Sequence, residues 1–154
     1  DVLALSHAIV HEVEQQHANT IACRIDTRFD LPEAVGDYDP KLLRHILGNL
    51  LSNAVKYSAG RGDVVFKIQR EAAKTVFEVC DQGIGIPTAD LPELFEPFHR
   101  GSNTGGASGF GLGLAIARRA IDAHGGAIHA LNREGGGLLV EITLPLAADA
   151  PQKE

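Results

Sequence analysis

Residues 49–58 read NLLSNAVKYS, and residues 81–87 read DQGIGIP. In the first segment Asn49, Asn53 and Lys56 recur at the spacing of one helix face. In the second, Asp81 precedes two glycines, Gly83 and Gly85, with one residue between them. Side-chain amides offer neutral oxygen to a hard metal ion, and a lysine meets phosphate as a point charge. A carboxylate beside backbone bared by glycine can accept a hydrogen bond from the edge of a base. A third segment, GFGLGL at 109–114, sets Gly109, Gly111, Gly113 and Leu114 at the start of a helix. Backbone amides at a helix N-terminus attract anions. Together these residue types suit a magnesium–nucleotide site.

Taken singly, each residue has a chemical role and a plainer alternative. Asn53 offers a carbonyl oxygen that suits a magnesium ion already neutralised by phosphates. Asn49, one turn earlier, can hold a metal-bound water or a phosphate oxygen. Tyr57 lies beside the stripe and could cover the sugar or the base. Asp81 can accept from the exocyclic amine of adenine, where guanine carries a carbonyl. Arg100, at the end of FEPFHR (95–100), either reaches the terminal phosphate or stays solvated. Phe95 and Phe98 read most simply as packing residues at the base of a lid. D-x-G-x-G alone also describes a plain turn. GxGxG alone is weak, follows no strand and lacks the lysine of a P-loop.

Regular elements must position these groups. Residues 2–18 read as a helix with Val2, Leu5, Ile9 and Val13 on one side. Residues 21–29 alternate like a strand. Asp39-Pro40 is an N-cap followed by proline at the first helical position, opening a helix to about residue 57. At about 100° per residue, Asn49, Asn53, Lys56, His45 and Ser52 fall within a sector of roughly 100°. Leu43, Ile46, Leu47, Leu50, Leu51 and Ala54 fall on the other side. Two Asn inside a helix each cost several tenths of a kcal/mol, about half the cost of Gly, so a solvated face is a poor explanation. Residues 62–70 and 74–81 read as two strands joined by a short connection, the second running into Asp81. TADLPELF after Pro87 suggests a short helix, and residues 99–111, rich in Gly and Ser, a mobile segment. A helix over about 111–123 stops at Gly125-Gly126, and strands follow at 127–131 and 137–144 around an REGG turn.

The bulk properties narrow the class. The chain has 154 residues, 44% of them apolar, which fits one globular domain over 1–146 with a disordered tail at 147–154. A net charge of −6 argues against nucleic acid and requires local cations if the ligand is ATP. No apolar run is long enough to cross a bilayer, and no signal peptide is visible. Cys23 and Cys80 form no CxxC pair, so a reducing, cytoplasmic setting is expected, as the cytoplasmic part of a membrane-bound sensor or free of one. The seven His are scattered and read as structural or surface residues. Direct membrane contact is not expected, and the isolated domain is expected to be monomeric.

The four segments, in this order, resemble the catalytic ATP-binding domain of bacterial sensor histidine kinases. They correspond to the family's N box (His45 to Ser58), first glycine box (Asp81 to Pro87), F box (Phe95 to Arg100) and second glycine box (Gly109 to Leu114). The resemblance implies the Bergerat fold: an α/β (α+β) sandwich, a mixed, mostly antiparallel sheet packed against helices, with a mobile ATP lid. It implies ATP and Mg2+ as cofactors, with Asn53 as the magnesium ligand and Asn49 and Lys56 serving the phosphates. It implies that Asp81 recognises the adenine amino group, with Gly83 and Gly85 beside the base. Gly109, Gly111 and Gly113, with Leu114 closing the box, would form the lid hinge and phosphate contacts. Phe110 stands where Thr or Ser is frequent in the family, which puts one hydroxyl contact in doubt.

The implied reaction is transfer of the γ-phosphoryl group to a histidine on a separate dimerisation domain, with a response regulator downstream. Asn49, Lys56 and Arg100 would be the catalytic groups. Hydrolases on this fold place a Glu four residues before the metal-binding Asn; here that position is Asn49. An amide cannot act as a general base, which argues against hydrolysis and against an anti-sigma-factor serine kinase. The family's acceptor motif resembles S-H-E-[LF]-R-T-P-L. His11-Glu12 here runs into Val13-Glu14-Gln15, so His11 reads as an ordinary helix residue and the acceptor domain as missing. The alternatives are a nucleotide-binding regulatory module without transfer activity and a Bergerat-fold ATP hydrolase. The segment 101–108 should become protected from hydrogen exchange when a non-hydrolysable ATP analogue and magnesium are added. Unchanged exchange there would count against a lid.

Overall fold

Asp39 starts the central helix by the chemistry its sequence announces. Its Oδ1 accepts from the Lys41 N–H at 2.9 Å, and its carbonyl accepts from the Leu43 N–H at 3.0 Å. Pro40 occupies the first helical position, where a missing N–H costs nothing. In the computed structural model, residues 2–17, 24–30, 38–58, 62–71, 74–83 and 113–145 are described. They form α1 (Val2–His17), β1 (Ile25–Asp30), α2 (Pro40–Ser58), β2 (Val64–Glu71) and β3 (Lys74–Cys80), then α3 (Gly113–Ala123), β4 (Ala127–Asn132) and β5 (Leu138–Pro145). The expected short helix after Pro87, the segment 99–111 and the tail lie outside the described residues.

The sheet runs β1-β2-β3-β5-β4. β1 pairs with β2 in parallel, and the other three pairings are antiparallel. Side chains alternate across it, so Phe66, Ile68, Phe77, Val79, Val140, Ile142 and Leu144 all bury on one face. Helix α2 lies between α1 and α3 over that face. Its Leu43, Ile46, Leu47, Leu50, Leu51, Ala54 and Val55 are buried, as the angular pattern requires. The fold is therefore the mixed, mostly antiparallel α/β sandwich that the sequence implies.

Two details refine the sequence expectations. The buried stripe of α1 is Val2, Ser6, Ile9, Val10 and Val13, with Leu5 at its rim. Spacings of four, three and four centre that stripe on Ser6 rather than Leu5. Strand β1 reaches Asp30, one residue past the expected end. At the far end, α3 stops by a Schellman motif. The Gly126 N–H donates to Ile121 O and the Gly125 N–H to Asp122 O, both at 3.0 Å, with Gly125 at φ 73°. A Cβ on Gly126 would collide with the Thr143 carbonyl oxygen, so glycine is needed where α3 meets β5. No helix among the described residues is long and apolar enough to cross a membrane.

Removal of the α2 cap should be visible in isolation. Asp39→Ala is expected to lower unfolding free energy by about 1 kcal/mol in a urea titration. An unchanged midpoint would show that the cap does not hold the helix start.

Candidate functional site

The site is organised by the way β3 ends. In an antiparallel ladder, a hydrogen-bonded pair exchanges two main-chain bonds. Asp81 and Leu138, the pair after Cys80 and Leu139, exchange only one: the Asp81 N–H donates to Leu138 O at 2.9 Å. The Leu138 N–H donates instead to the Asp81 side chain, at Oδ1, over 3.0 Å. The same oxygen accepts from the Gly83 N–H at 2.9 Å. The displaced Asp81 carbonyl accepts from Arg133 Nη1 at 3.0 Å. Thus Oδ1 is pinned by two backbone amides, and Oδ2 has no partner among the described residues.

The β4–β5 turn supports this swap. The Arg133 N–H donates to Gly137 O at 2.8 Å, and the Gly136 N–H to Arg133 O at 3.2 Å. Gly135, Gly136 and Gly137 take φ values of 86°, 115° and 94°, which side-chain-bearing residues rarely adopt. A Cβ on Gly137 would also collide with the Asp81 carbonyl oxygen. The glycines therefore allow the turn to close onto the end of β3.

Asp81 is only 6% exposed. Burial holds its carboxyl above the usual carboxylate range, because desolvation outweighs the Gly83 and Leu138 amides and the charge of Arg133. Burial likewise pushes the neighbouring Cys80 thiol up, so it is a poor nucleophile. A carboxylate kept in an apolar setting with one oxygen pinned is a fixed acceptor.

Helix α2 carries the polar stripe. Asn49 and Asn53 are half-buried, and Lys56 and His45 are exposed. The helix ends at Ser58, fully buried, whose Oγ accepts from the Gln82 N–H at 2.7 Å. The stripe and the Asp81 segment are therefore joined directly at the helix end. Among the described residues no cluster of three or more His, Cys, Asp or Glu could hold a metal. A metal at the stripe would rest on amide oxygen and on its ligand's phosphates. That donor set fits magnesium, which takes few protein ligands and shares substrate phosphates.

The structure brings Asp81 and Gly83 together and sets Asn49, Asn53 and Lys56 on the adjoining helix. Gly113 and Leu114 fall in the first turn of α3. Gly85, Phe95, Phe98, Arg100, Gly109 and Gly111 lie outside the described residues, as do the side chains of Tyr57 and Leu114. Sequence reasoning missed Ser58, Arg133, Gly137 and Leu138 as parts of the site. The run Gly135-Gly136-Gly137, one glycine more than a tight hairpin needs, was a signal for Gly137 and the unusual turn, though not for the contacts of the other three.

A family model described as "Histidine kinase-, DNA gyrase B-, and HSP90-like ATPase" matches residues 38–148. The sensor protein CutS of Streptomyces coelicolor is 40% identical over 137 residues, 87% of this chain and 33% of CutS. The chain thus spans about a third of that relative's length. The mycobacterial sensor histidine kinase MprB superposes with a TM-score of 0.83 at 25% identity, covering 95% of this chain and 96% of that one. Full-length ShkA in complex with AMPPNP superposes with a TM-score of 0.82 at 28% identity, covering 98% of this chain and 31% of ShkA.

The burial of Asp81 has a consequence for stability. A carboxyl whose pKa rises on folding opposes folding once it ionises. That cost is absent well below the ordinary value of 3.8 and is complete once pH exceeds the raised value. Asp81→Asn keeps an oxygen for the two amides and removes the charge. Without nucleotide, its urea midpoint relative to the parent should rise between about pH 3 and pH 7. A midpoint that falls relative to the parent over that range would contradict the sign.

Proposed function

Since the chain belongs to the histidine kinase-, DNA gyrase B- and HSP90-like ATPase family, we propose that it binds Mg-ATP and donates the γ-phosphoryl group to a histidine of a dimerisation domain. A response regulator would then take the phosphoryl group onward. The reaction would run on the cytoplasmic side, where ATP is supplied. The observation that carries the reading is the pinned Asp81 carboxylate, whose Oδ2 is poised to accept from an exocyclic amine. The resemblance to ShkA, solved with AMPPNP, supports a nucleotide at this site.

Each group then has a task. Asp81 Oδ2 accepts the adenine amino hydrogen, while Gly83 lets the base approach the backbone. Asn49 and Lys56 serve the phosphates, with Arg100 at the terminal one. Asn53 would hold magnesium, which neutralises phosphate charge when bound. The acceptor imidazole nitrogen forms the new N–P bond, the bond from the β–γ bridging oxygen to the γ-phosphorus breaks, ADP leaves and the imidazole releases a proton. Phosphoryl transfer rests on positioning and charge stabilisation rather than on covalent chemistry by the protein. The second glycine box, Gly109, Gly111, Gly113 and Leu114, would close over the phosphates. An amide at position 49 supplies no base for water, so transfer is favoured over hydrolysis.

Base recognition is tested by titrating ATP and GTP. ATP should bind far more tightly, because guanine would set a carbonyl against the buried carboxylate. Asp81→Asn should weaken ATP by about 1.5–3 kcal/mol, since its amide would oppose the adenine amine, donor to donor. Equal affinities for ATP and GTP would remove Asp81 from this role. Transfer is tested by supplying a cognate dimerisation domain in trans. Acid-labile, base-stable phosphate on that domain is expected, and slow turnover without it. Acid-stable phosphoserine or rapid hydrolysis would overturn the assignment. Asn53→Ala should abolish transfer with near-parental melting of the free protein, because Asn53 lies off the core face; an unfolded variant would make the residue structural.

A further inference from the structure

The swap at the end of β3 needs a group to hold the carbonyl that the carboxylate displaces, and Arg133 is that group. We propose that Arg133 is a positioning residue for base selection: by holding the Asp81 carbonyl, it keeps the Leu138 N–H on the Asp81 carboxylate. The inference rests on Asp81 being the base-recognising acceptor and goes beyond it by naming what aims that acceptor.

Two arrangements compete at this point. In one, Leu138 N–H bonds the Asp81 carbonyl, as an ordinary ladder pair would, and Oδ1 loses one of its two anchors. In the other, the observed one, the carbonyl turns to Arg133 and the amide turns to Oδ1. A carbonyl left buried without a donor is costly, so the second arrangement stands only while a donor is present. Arg133 is held in place for this by its own main chain, bonded on both sides of the turn to Gly136 and Gly137. Gly137 lets the turn approach, since any side chain there would strike the same carbonyl oxygen. Loss of the guanidinium would let the ladder extend by one bond. The Asp81 carbonyl and the Leu138 N–H would both keep a partner, Oδ1 would keep only the Gly83 amide, and the carboxylate would lose its aim. That separates a positioning role from a merely structural one.

The test uses Arg133→Ala and Arg133→Lys in the whole chain, with ATP and GTP titrated calorimetrically and melting followed without nucleotide. Arg133→Ala should bind ATP about tenfold more weakly, the scale of one net hydrogen bond. GTP affinity should be unchanged, so the ATP-to-GTP ratio falls by the same factor. Melting should stay within about 2 °C of the parent, because the ladder bond leaves no main-chain group at this pair without a partner. Arg133→Lys, which can still donate to the carbonyl, should recover most of the ratio. The proposal is overturned if Arg133→Ala keeps the parent's ratio, if ATP and GTP weaken together, or if affinity falls only in step with melting. A parent that discriminates while Arg133→Ala discriminates to the same ratio leaves the Asp81 reading intact and removes Arg133. A parent that binds ATP and GTP alike removes both.

Discussion

If the β3–β5 ladder ran one pair further in the ordinary way, the Asp81 carbonyl would bond Leu138 and its carboxylate would hang from one amide. The observed exchange of partners prevents that. One side-chain oxygen replaces a main-chain oxygen in the ladder, and so inherits the rigidity of a central strand. Two amides on Oδ1 fix both the rotation and the reach of the group. A fixed acceptor is thereby built into a sheet rather than carried on a free loop. The triple-glycine turn, the Arg133 contact and the Gln82–Ser58 bond follow from that placement, since each holds backbone that the exchange leaves exposed or redirected.

The electrostatics of the chain oppose its proposed ligand. The net charge is −6, and one of the acidic groups behind it, Asp81, is buried where the base would lie. Desolvation works against that charge, and the two amides offset only part of it. A site of this kind gains selectivity at the expense of stability. A well-packed core can carry such a cost: α2 alone buries seven apolar side chains, and each full burial contributes roughly 1.5–3 kcal/mol. The Asp81 end of the sheet can therefore hold a buried, desolvated carboxyl without threatening the fold.

How far the sequence revealed this depends on the kind of information each residue carries. The α2 face was legible because a 3.6-residue period is long and repeated, and its six assigned core positions all bury. The cap at Asp39-Pro40 and the stop at Gly125-Gly126 were legible because each is a local rule with few alternatives. Asp81 and Gly83 were legible as a motif, but their support was not. Ser58, Arg133 and Leu138 meet the Asp81 segment across 24, 52 and 57 residues, and no local pattern reports such contacts. Ser6 was missed for a related reason: a small polar residue at the centre of the buried face of α1 does not register in an apolar periodicity. Its Oγ is buried without a partner among the described residues, so the helix tolerates it rather than gaining from it.

The joint between Ser58 and Gln82 relates the two halves of the site. The α2 stripe would meet phosphates, and Asp81 would meet the base, so a nucleotide must span from one to the other. Were these groups on separately mobile elements, binding would have to order both and their relative position at once. Instead the last residue of α2 accepts a hydrogen bond from the residue that follows Asp81, at a fully buried hydroxyl. The same helix is fixed over the sheet by its apolar face, and the same strand is fixed within the sheet by two neighbours. The distance between Asp81 and the α2 stripe is thus set by the core. Were the proposed nucleotide bound, an element closing over its phosphates could then change without disturbing the hold on its base.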